Sequence, residues 1–239
     1  MQKPLIFAHR GNSSMAPENT MAAFKLAVKL RCEGIETDVH LTKDGRLAVI
    51  HDESTMRTTG TTGAVGDMTM DELKALDAGS WFDDGFSRNS IPELWELLEL
   101  IKPTAMILNI ELKNSIRRYP GLEQAALMEL GRYSMLDRVV FSSFNHASMA
   151  LMKAMEPHSQ TALLYDEVIY RPAEYALVCH ADGLHPQHIH VDEKYMEQAM
   201  AHGIKVRPWT VDDMDEAKRL AALGVDAIIT NCPEDLMRL

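Results

Sequence analysis

Cysteine is scarce in this 239-residue sequence, and the three cysteines that occur, Cys32, Cys179 and Cys232, lie far apart. An odd number of scattered cysteines without a CxxC pair excludes the disulfide framework that holds small secreted proteins together. No apolar run approaches ~18 residues, the length that would suggest a membrane-spanning helix. The first apolar segment is too short for a signal peptide, because His9 and Arg10 follow it at once. These absences predict a cytoplasmic protein with no membrane span.

Positive charge is also in short supply. The sequence has 24 lysines and arginines against 35 aspartates and glutamates, a formal net charge of −11. This balance argues against binding nucleic acid or an anionic membrane through a general basic surface. A local site for a small phosphate-containing substrate stays open, because a few well-placed cations are enough for one. With 46% hydrophobic and 25% charged residues, the composition is that of a globular protein with a sizeable core.

Short apolar runs alternate with helical patterns along almost the whole chain. The pattern predicts helices that start at Pro17 and stop at Gly34 and Gly203. The predicted strands are 5–8, 34–41, 47–50, 106–112, 139–143, 161–165, 181–184, 205–209 and 227–230. The predicted helices are 17–31, 92–101, 119–133, 146–155, 171–178, 192–202 and 212–223. About eight strand–helix units without a long linker favour an α/β fold, a single (β/α)8 TIM barrel over residues 1–239.

A doubly wound open sheet is the alternative architecture, but neither GxGxxG nor GxxxxGK follows any predicted strand. One segment interrupts the alternation, because more than one helix lies between His51 and the strand at 106–112. We therefore predict a small insertion after the His51 strand, residues 52–90, over the C-terminal rim of the barrel. Its composition fits a surface excursion and a substrate-binding role equally well.

The stretch IETDVHLTKDGRLAVIHDE, residues 35–53, has the pattern of a β-hairpin. Asp44-Gly45 between two β-patterned runs predicts a two-residue turn. That turn places Asp38 opposite His51. Since side chains alternate between the two faces of a strand, Glu36 would share the face of Asp38 and His51. The hairpin thus predicts two carboxylates beside an imidazole, provided that no bulge shifts the register.

Paired carboxylates on one strand face repel each other unless a cation lies between them. A solvated strand face would explain Glu36 and Asp38 alone. However, Glu111 and Lys113 follow a strongly apolar run in ILNIELKN, again on one face. Three carboxylates at strand ends form an all-oxygen site that suits Mg²⁺ or Ca²⁺, with Mn²⁺ as a further option, rather than Zn²⁺.

In a (β/α)8 barrel the active site lies at the C-terminal ends of the strands. His9, His51 and the three carboxylates all map to those ends, together with Arg10 and Lys113. Such a rim suits a phosphodiester, because cations neutralise phosphoryl charge and histidines transfer protons.

An ordered set of motifs resembles the glycerophosphodiester phosphodiesterase family, in its cytosolic bacterial form. The motifs are HRG at 9–11, ENT at 18–20, ETD at 36–38, HD at 51–52, ELK at 111–113, SSFN at 142–145, WTV at 209–211, and GVDAIIT followed by Pro233. Each motif alone is weak, but the order and spacing match over nearly the entire chain. One departure is Asn231, where the family often has aspartate.

The resemblance implies a metal-dependent enzyme that hydrolyses glycerophosphodiesters, such as glycerophosphocholine and glycerophosphoethanolamine, to sn-glycerol 3-phosphate and an alcohol. Two routes stay open: attack on phosphorus by a glycerol hydroxyl with a cyclic phosphate intermediate, or direct attack by water. The implied roles are metal ligation by Glu36, Asp38 and Glu111, acid/base catalysis by His9 and His51, phosphate contact by Arg10 and Lys113, and an apolar wall of Phe144 and Trp209. Glu18 and Asn19 would brace the rim.

Three histidines in LHPQHIHV resemble a metal cluster at first sight. The simpler interpretation is a loop in which His188 and His190 bind no metal, while His185 points into the pocket as a substrate-binding residue. Two alternatives to the main hypothesis stay open, a phosphodiesterase of the lysophospholipase D type and a catalytically silent barrel that only binds glycerophosphodiesters. A homodimer through the insertion or the outer helices is also open.

Overall fold

The computed structural model describes residues 3–239. The strands are β1 (Leu5–His9), β2 (Gly34–Leu41), β3 (Leu47–Val49), β4 (Ile107–Leu112), β5 (Val139–Ser143), β6 (Gln160–Tyr165), β7 (Gly183–Pro186), β8 (Lys205–Val206) and β9 (Ala227–Thr230). The helices are α1 (Met21–Leu30), α2 (Met56–Thr59), α3 (Met70–Lys74), α4 (Leu94–Ile101), α5 (Leu122–Tyr133), α6 (His146–Met155), α7 (Pro172–Val178), α8 (Glu193–Ala201), α9 (Met214–Leu223) and α10 (Pro233–Leu236). All nine predicted strands are present, most of them within one or two residues of the predicted bounds.

Eight parallel strands form a nearly closed barrel in the order β8-β7-β6-β5-β4-β2-β1-β9. The chain after β8 closes the ring against β9, because the amide of Ile229 donates to Pro208 at 3.0 Å and that of Val211 donates to Ile229 at 3.0 Å. Helices fill the connections between the strands. The prediction of a (β/α)8 barrel is therefore confirmed, and the open-sheet alternative is wrong.

The strand register brings functional side chains next to each other. β1 pairs with β2 so that His9 lies beside Glu36. β2 pairs with β4 so that Asp38 lies beside Glu111. Because all three strands are parallel, these four side chains lie at the same end of the barrel.

The hairpin prediction was wrong in its register. β2 and β3 pair antiparallel with Val39 opposite Val49, and the turn has three residues, 43–45, instead of two. The amide of Thr42 donates to Arg46 at 2.9 Å, and Gly45 takes the left-handed conformation, φ 76°. A left-handed glycine ending a three-residue loop is a common hairpin solution. β3 pairs with β2 outside the ring of parallel strands, and His51 reaches the site from the irregular chain that follows β3.

The start of the first helix was also predicted wrongly. α1 begins at Met21 instead of Pro17, because Asn19 takes a left-handed conformation, φ 54°, which no helix continues. The hydroxyl of Thr20 accepts from the Ala23 amide and caps the helix. A serine or threonine in this position satisfies an otherwise unpaired helix donor. The residues before Met21 are thus free to form a loop over the barrel end.

The two glycines predicted as helix stops have different roles. Gly203 follows α8 with φ 68°, as predicted. Gly34 instead opens β2, and the first helix ends at Arg31, φ 61°. A Cβ at Gly34 would lie 2.5 Å from the Phe7 ring, so close packing between strands requires glycine there.

Residues 52–90 contain α2 and α3. Together with the hairpin and the chain before α4, they form a second, small apolar cluster. The cluster includes Ile50, Val65, Met70, Leu73 and Ile91, all buried. The single-domain division and the insertion bounds stay predictions. Within residues 3–239, no helix is both long and apolar enough to cross a membrane.

Gly11 provides a test of the barrel end. It takes φ 83°, and a Cβ there would lie 2.7 Å from the Ala23 carbonyl carbon. Gly45 has a similar φ but open space around it, so it is the matched control. Each change to alanine should cost about 1–2 kcal/mol for the left-handed conformation. Gly11→Ala should cost clearly more because of the added steric contact. Urea unfolding measures both free energies, and equal losses would contradict this account.

Candidate active site

A cavity of about 340 Å³ opens at the carboxyl ends of the barrel strands. Nine of the ten predicted site residues line it, and the tenth, Asp38, is buried with 1% of its surface exposed. The nine are His9, Arg10, Glu36, His51, Glu111, Lys113, Phe144, His185 and Trp209. The structure thus brings the predicted residues together, although the segments that carry them are dispersed along the chain.

Three buried carboxylates form a cluster at one side of the cavity. Glu36, Asp38 and Glu111 each offer an oxygen, and these oxygens lie within 4.8 Å of one another. Burial and the charge of Asp38 raise the pKa of Glu36 well above its usual value and that of Glu111 to about 7. Both pKa shifts show that these carboxylates are buried away from water and repel one another. Among residues 3–239 no other His, Cys, Asp or Glu group meets the same geometric test.

Two cations already balance part of this negative charge. The Lys113 ammonium donates to Glu111 at 2.8 Å and lies 3.7 Å from Asp38. The Arg10 Nε lies 3.5 Å from Asp38. Although burial raises the pKa of Asp38, Arg10 and Lys113 outweigh it and hold that pKa below its usual value. An all-oxygen donor set that keeps excess negative charge fits a hard divalent cation.

Asp38 is oriented by the loop that precedes the first helix. The Asn19 amide donates to Asp38 Oδ2 at 2.8 Å and accepts from the Thr37 hydroxyl at 2.8 Å. Because the Asp38 carboxylate can only accept, the Asn19 amide nitrogen faces Asp38 and its oxygen is left to accept from the Thr37 hydroxyl. The left-handed conformation of Asn19 turns its side chain towards β2. The ENT motif therefore acts on the carboxylate cluster, as the predicted bracing role requires.

His9 lies between the carboxylate cluster and the C-terminal part of the chain. Its Nε2 is 3.8 Å from Glu36, and its Nδ1 is 2.7 Å from Asn231 Oδ1. The Asn231 amide nitrogen donates to Asp212 at 2.7 Å, which leaves Oδ1 to accept from the imidazole. Burial and the neighbouring Arg10 lower the pKa of His9 to about 4. In the sequence, Asn231 stands out only as a departure from the family pattern, and its contact with His9 was not predicted.

His51 is held in a different way. Its Nδ1 is 2.6 Å from Asp52 Oδ1. Hydrogen bonds from Arg57 and from His51 outweigh burial and keep the pKa of Asp52 below its usual value, so the carboxylate accepts and the imidazole Nδ1 donates. His9 and His51 therefore both have Nδ1 engaged. Asp52 belongs to the HD motif at 51–52, but neither Asp52 nor Arg57 was predicted as a site residue.

Aromatic side chains form the opposite side of the cavity. Phe144 and Trp209 meet edge to face with 5.7 Å between ring centroids. The Trp209 indole donates to the carbonyl of His185 at 2.7 Å. His185 itself is buried, with Nε2 3.4 Å from the Arg207 guanidinium, and burial together with Arg207 lowers its pKa well below the usual value. His185 lines the cavity, the position that the sequence predicted for it.

The other two histidines of this loop are apart from the cavity. His188 Nδ1 is 2.7 Å from Glu216, and His190 Nε2 donates to the carbonyl of Asp166 at 2.9 Å. The three histidines form no cluster within the described residues. The simpler interpretation of LHPQHIHV stays a prediction.

Fold and site together define a (β/α)8-barrel enzyme whose buried carboxylates, two cations and two histidines meet in one cavity at the C-terminal strand ends. The chain belongs to the glycerophosphoryl diester phosphodiesterase family, whose model matches residues 9–235, and it is an enzyme of that class. A glycerophosphodiester phosphodiesterase from Caldanaerobacter subterraneus is 45% identical over 237 residues, covering 99% of this chain and 98% of the relative. One from Bacillus altitudinis is 43% identical, covering 98% and 97%.

Solved structures agree with this assignment. An Oleispira antarctica phosphodiesterase, in complex with the product sn-glycerol-3-phosphate, matches with a TM-score of 0.91 and 32% identity, covering 98% of this chain and 96% of that chain. A glycerophosphodiester phosphodiesterase from Agrobacterium tumefaciens matches with a TM-score of 0.85 and 30% identity, covering 99% and 100%. The family resemblance stated from the motifs is therefore confirmed.

The carboxylate cluster should make the stability of the protein depend on divalent cations. A divalent cation should raise the melting temperature of EDTA-treated protein, because it removes the repulsion among Glu36, Asp38 and Glu111. Glu36→Gln should abolish most of this rise and leave the cation-free protein at least as stable as the wild type. Glu197→Gln, on an exposed part of α8, is the matched control and should keep the full rise. Differential scanning fluorimetry with Mg²⁺, Ca²⁺ and Mn²⁺ measures this, and an unchanged rise in Glu36→Gln would contradict it.

Proposed function

We propose that this enzyme hydrolyses glycerophosphodiesters such as glycerophosphocholine and glycerophosphoethanolamine to sn-glycerol 3-phosphate and an alcohol, in a reaction that needs Mg²⁺, Ca²⁺ or Mn²⁺. The observation that carries this proposal is the meeting of the carboxylate cluster, two cationic side chains and two histidines in one cavity. The product seen in the related Oleispira antarctica structure supports the same substrate class.

Glu36, Asp38 and Glu111 would hold the cation. When bound, the cation would polarise the phosphoryl group and neutralise charge that develops on it. Arg10 and Lys113 would bind the non-bridging phosphate oxygens, since both present cationic groups beside the cluster. These contacts orient the phosphorus and stabilise the negative charge of the transition state.

His9 and His51 would transfer the protons of the reaction. Each has its Nδ1 bonded to an oxygen acceptor, so each would present its Nε2 for exchange with a nucleophile or a leaving group. Hydrolysis breaks the phosphorus–oxygen bond to the alcohol, whose oxygen takes up a proton, while the nucleophile loses one. The nucleophile is either water or a hydroxyl of the glycerol. Attack by the hydroxyl would give a cyclic phosphate, which water would open in a second step.

The apolar wall of Phe144 and Trp209 would pack against the carbon atoms of the glycerol or the leaving group. His185 lies behind Trp209 and would complete the substrate-binding side of the cavity. These positions suit a small substrate with apolar carbon surface and polar hydroxyls, because most pockets combine apolar walls with a few polar groups.

A lysophospholipid is the second candidate substrate. Ile116 lines the cavity and has 80% of its surface exposed, so an apolar side chain is available for an acyl chain at the mouth. Competition between glycerophosphocholine and lysophosphatidylcholine distinguishes the two substrate classes.

Cation dependence is tested by incubating EDTA-treated protein with glycerophosphocholine in the presence of Mg²⁺, Ca²⁺, Mn²⁺ or no metal. We expect release of sn-glycerol 3-phosphate and choline only when a divalent cation is added. Release of phosphocholine would mean that the wrong bond has been assigned. Tight substrate binding with no product under any cation would favour the silent barrel instead. A transient cyclic phosphate, detected by phosphorus NMR, would select the two-step route.

Histidine substitutions test the proton-transfer roles. His9→Ala and His51→Ala should each lower kcat by about 10²–10⁴-fold, the usual contribution of a general acid or base. His202→Ala, at the exposed end of α8, is the control and should leave kcat unchanged. Circular dichroism checks that the folds are equal. Near-normal turnover in His9→Ala or His51→Ala would remove that residue from the mechanism.

A cytoplasmic location and a homodimer stay predictions. Cys32, Cys179 and Cys232 are all free thiols, which is compatible with a reducing compartment.

A further inference from the structure

Arg57 lies in α2, within residues 52–90, and its guanidinium is held between two carboxylates from different parts of the chain. Its Nε and Nη2 donate to Asp52 at 2.7 and 2.9 Å. Its Nη1 and Nη2 donate to Glu18 at 2.8 Å each. Four hydrogen bonds from one planar group fix the position of both carboxylates, since the two-pronged geometry specifies angle as well as distance.

Each of these two carboxylates also holds a group of the proposed site. Asp52 Oδ1, which accepts from Arg57, accepts from His51 Nδ1 at 2.6 Å. Glu18 Oε1, which accepts from Arg57, accepts from Arg10 Nη1 at 2.7 Å. Arg57 is therefore the centre of a continuous chain of hydrogen bonds from the imidazole of His51 to the guanidinium of Arg10.

Arg57 does not belong to the described lining of the cavity, whereas Arg10 and His51 do. The contacts that connect Arg57 to these two groups are its hydrogen bonds to Asp52 and Glu18. Without Arg57, Asp52 would lose two of its hydrogen bonds and could rotate away from the imidazole. Glu18 would become a carboxylate with Arg10 as its remaining cationic partner, free to draw that side chain away from Asp38.

We propose that Arg57 is a positioning residue that fixes the tautomer of His51 and the direction of Arg10 together. Through it, residues 52–90 act on proton transfer and on phosphate contact without touching the substrate. The inference rests on the function proposed above for His51 and Arg10. From composition, residues 52–90 could be either a surface excursion or part of the substrate site. The proposal gives them a third role, the positioning of site residues.

The neutral His51 ring reports on this arrangement directly. Asp52 accepts, so the neutral ring carries its proton on Nδ1, the less populated tautomer of a free histidine in water. Release of Asp52 should let the proton move to Nε2. Nitrogen NMR of histidine-labelled protein distinguishes the two tautomers, and His51→Ala identifies the signal. This readout does not depend on turnover.

The central variant is Arg57→Lys, which keeps the charge but cannot form two paired contacts. The matched control is Arg46→Lys. Arg46 also binds two carboxylates, Glu93 and Asp71, but it lies away from the cavity lining. We expect Arg57→Lys to lower kcat about 10- to 100-fold, the range found when supporting hydrogen bonds of a site are lost. The His51 signal should shift towards the Nε2 tautomer, and Arg46→Lys should change neither quantity.

Arg57→Ala adds a rescue test, because free guanidinium at non-denaturing concentration should restore part of the lost turnover. Unchanged kcat together with an unchanged His51 signal in Arg57→Lys would overturn the inference. Equal losses in Arg57→Lys and Arg46→Lys would also overturn it, since they would indicate a structural anchor only. If the wild type releases no product from glycerophosphodiesters, the proposed function fails, and the His51 tautomer alone decides the inference.

Discussion

Electrostatic repulsion among Glu36, Asp38 and Glu111 determines which other charged groups the C-terminal end of the barrel needs. Three carboxylates within 4.8 Å, shielded from solvent, would be strongly unfavourable without compensation. Lys113 and Arg10 supply part of this compensation. They act mainly on Asp38, whose pKa is lowered, while the pKa values of Glu36 and Glu111 stay raised. The remaining negative charge is the physical reason for proposing a divalent cation. The same charge balance leaves cationic groups beside the cluster, where a phosphodiester needs them.

The fold makes this arrangement possible by parallel register. His9 beside Glu36 and Asp38 beside Glu111 are direct consequences of strand pairing, so no loop has to be ordered to bring these four groups together. Loops then refine the geometry. Asn19, in a left-handed conformation, donates its side-chain amide to Asp38, and Asn231 Oδ1 accepts from Nδ1 of His9. A site on rigid strands, with its side chains oriented by loop residues, is well suited to chemistry that depends on position.

Sequence alone predicted the barrel, nearly all of its elements and the ten residues around the cavity. Strand ends can be located from apolar periodicity, and the ordered motifs connect those ends to one function. The hairpin shows where local reasoning fails, because a three-residue turn and a two-residue turn differ by one residue in register. His51 still reached the site, but through the chain after β3 and not through pairing with Asp38.

The supporting residues were harder to predict. Arg57 and Glu18 are 39 residues apart in sequence, and His9 and Asn231 are 222 apart. Neither periodicity nor turn chemistry specifies which surface arginine will bind which carboxylate, since that depends on loop conformation in three dimensions. Asn231 carried a signal only as a departure from the family pattern. Its hydrogen bonds to the imidazole and to Asp212 required the folded structure.

Anomalous X-ray diffraction from crystals soaked in Mn²⁺ tests the central claim most directly. The account predicts an anomalous peak within coordination distance of carboxylate oxygens from Glu36, Asp38 and Glu111. It also predicts that Lys113 and Arg10 stay beside the cluster without ligating the ion. No peak at this position under saturating Mn²⁺, or a peak bound elsewhere in the barrel, would contradict the claim that these carboxylates form the metal site.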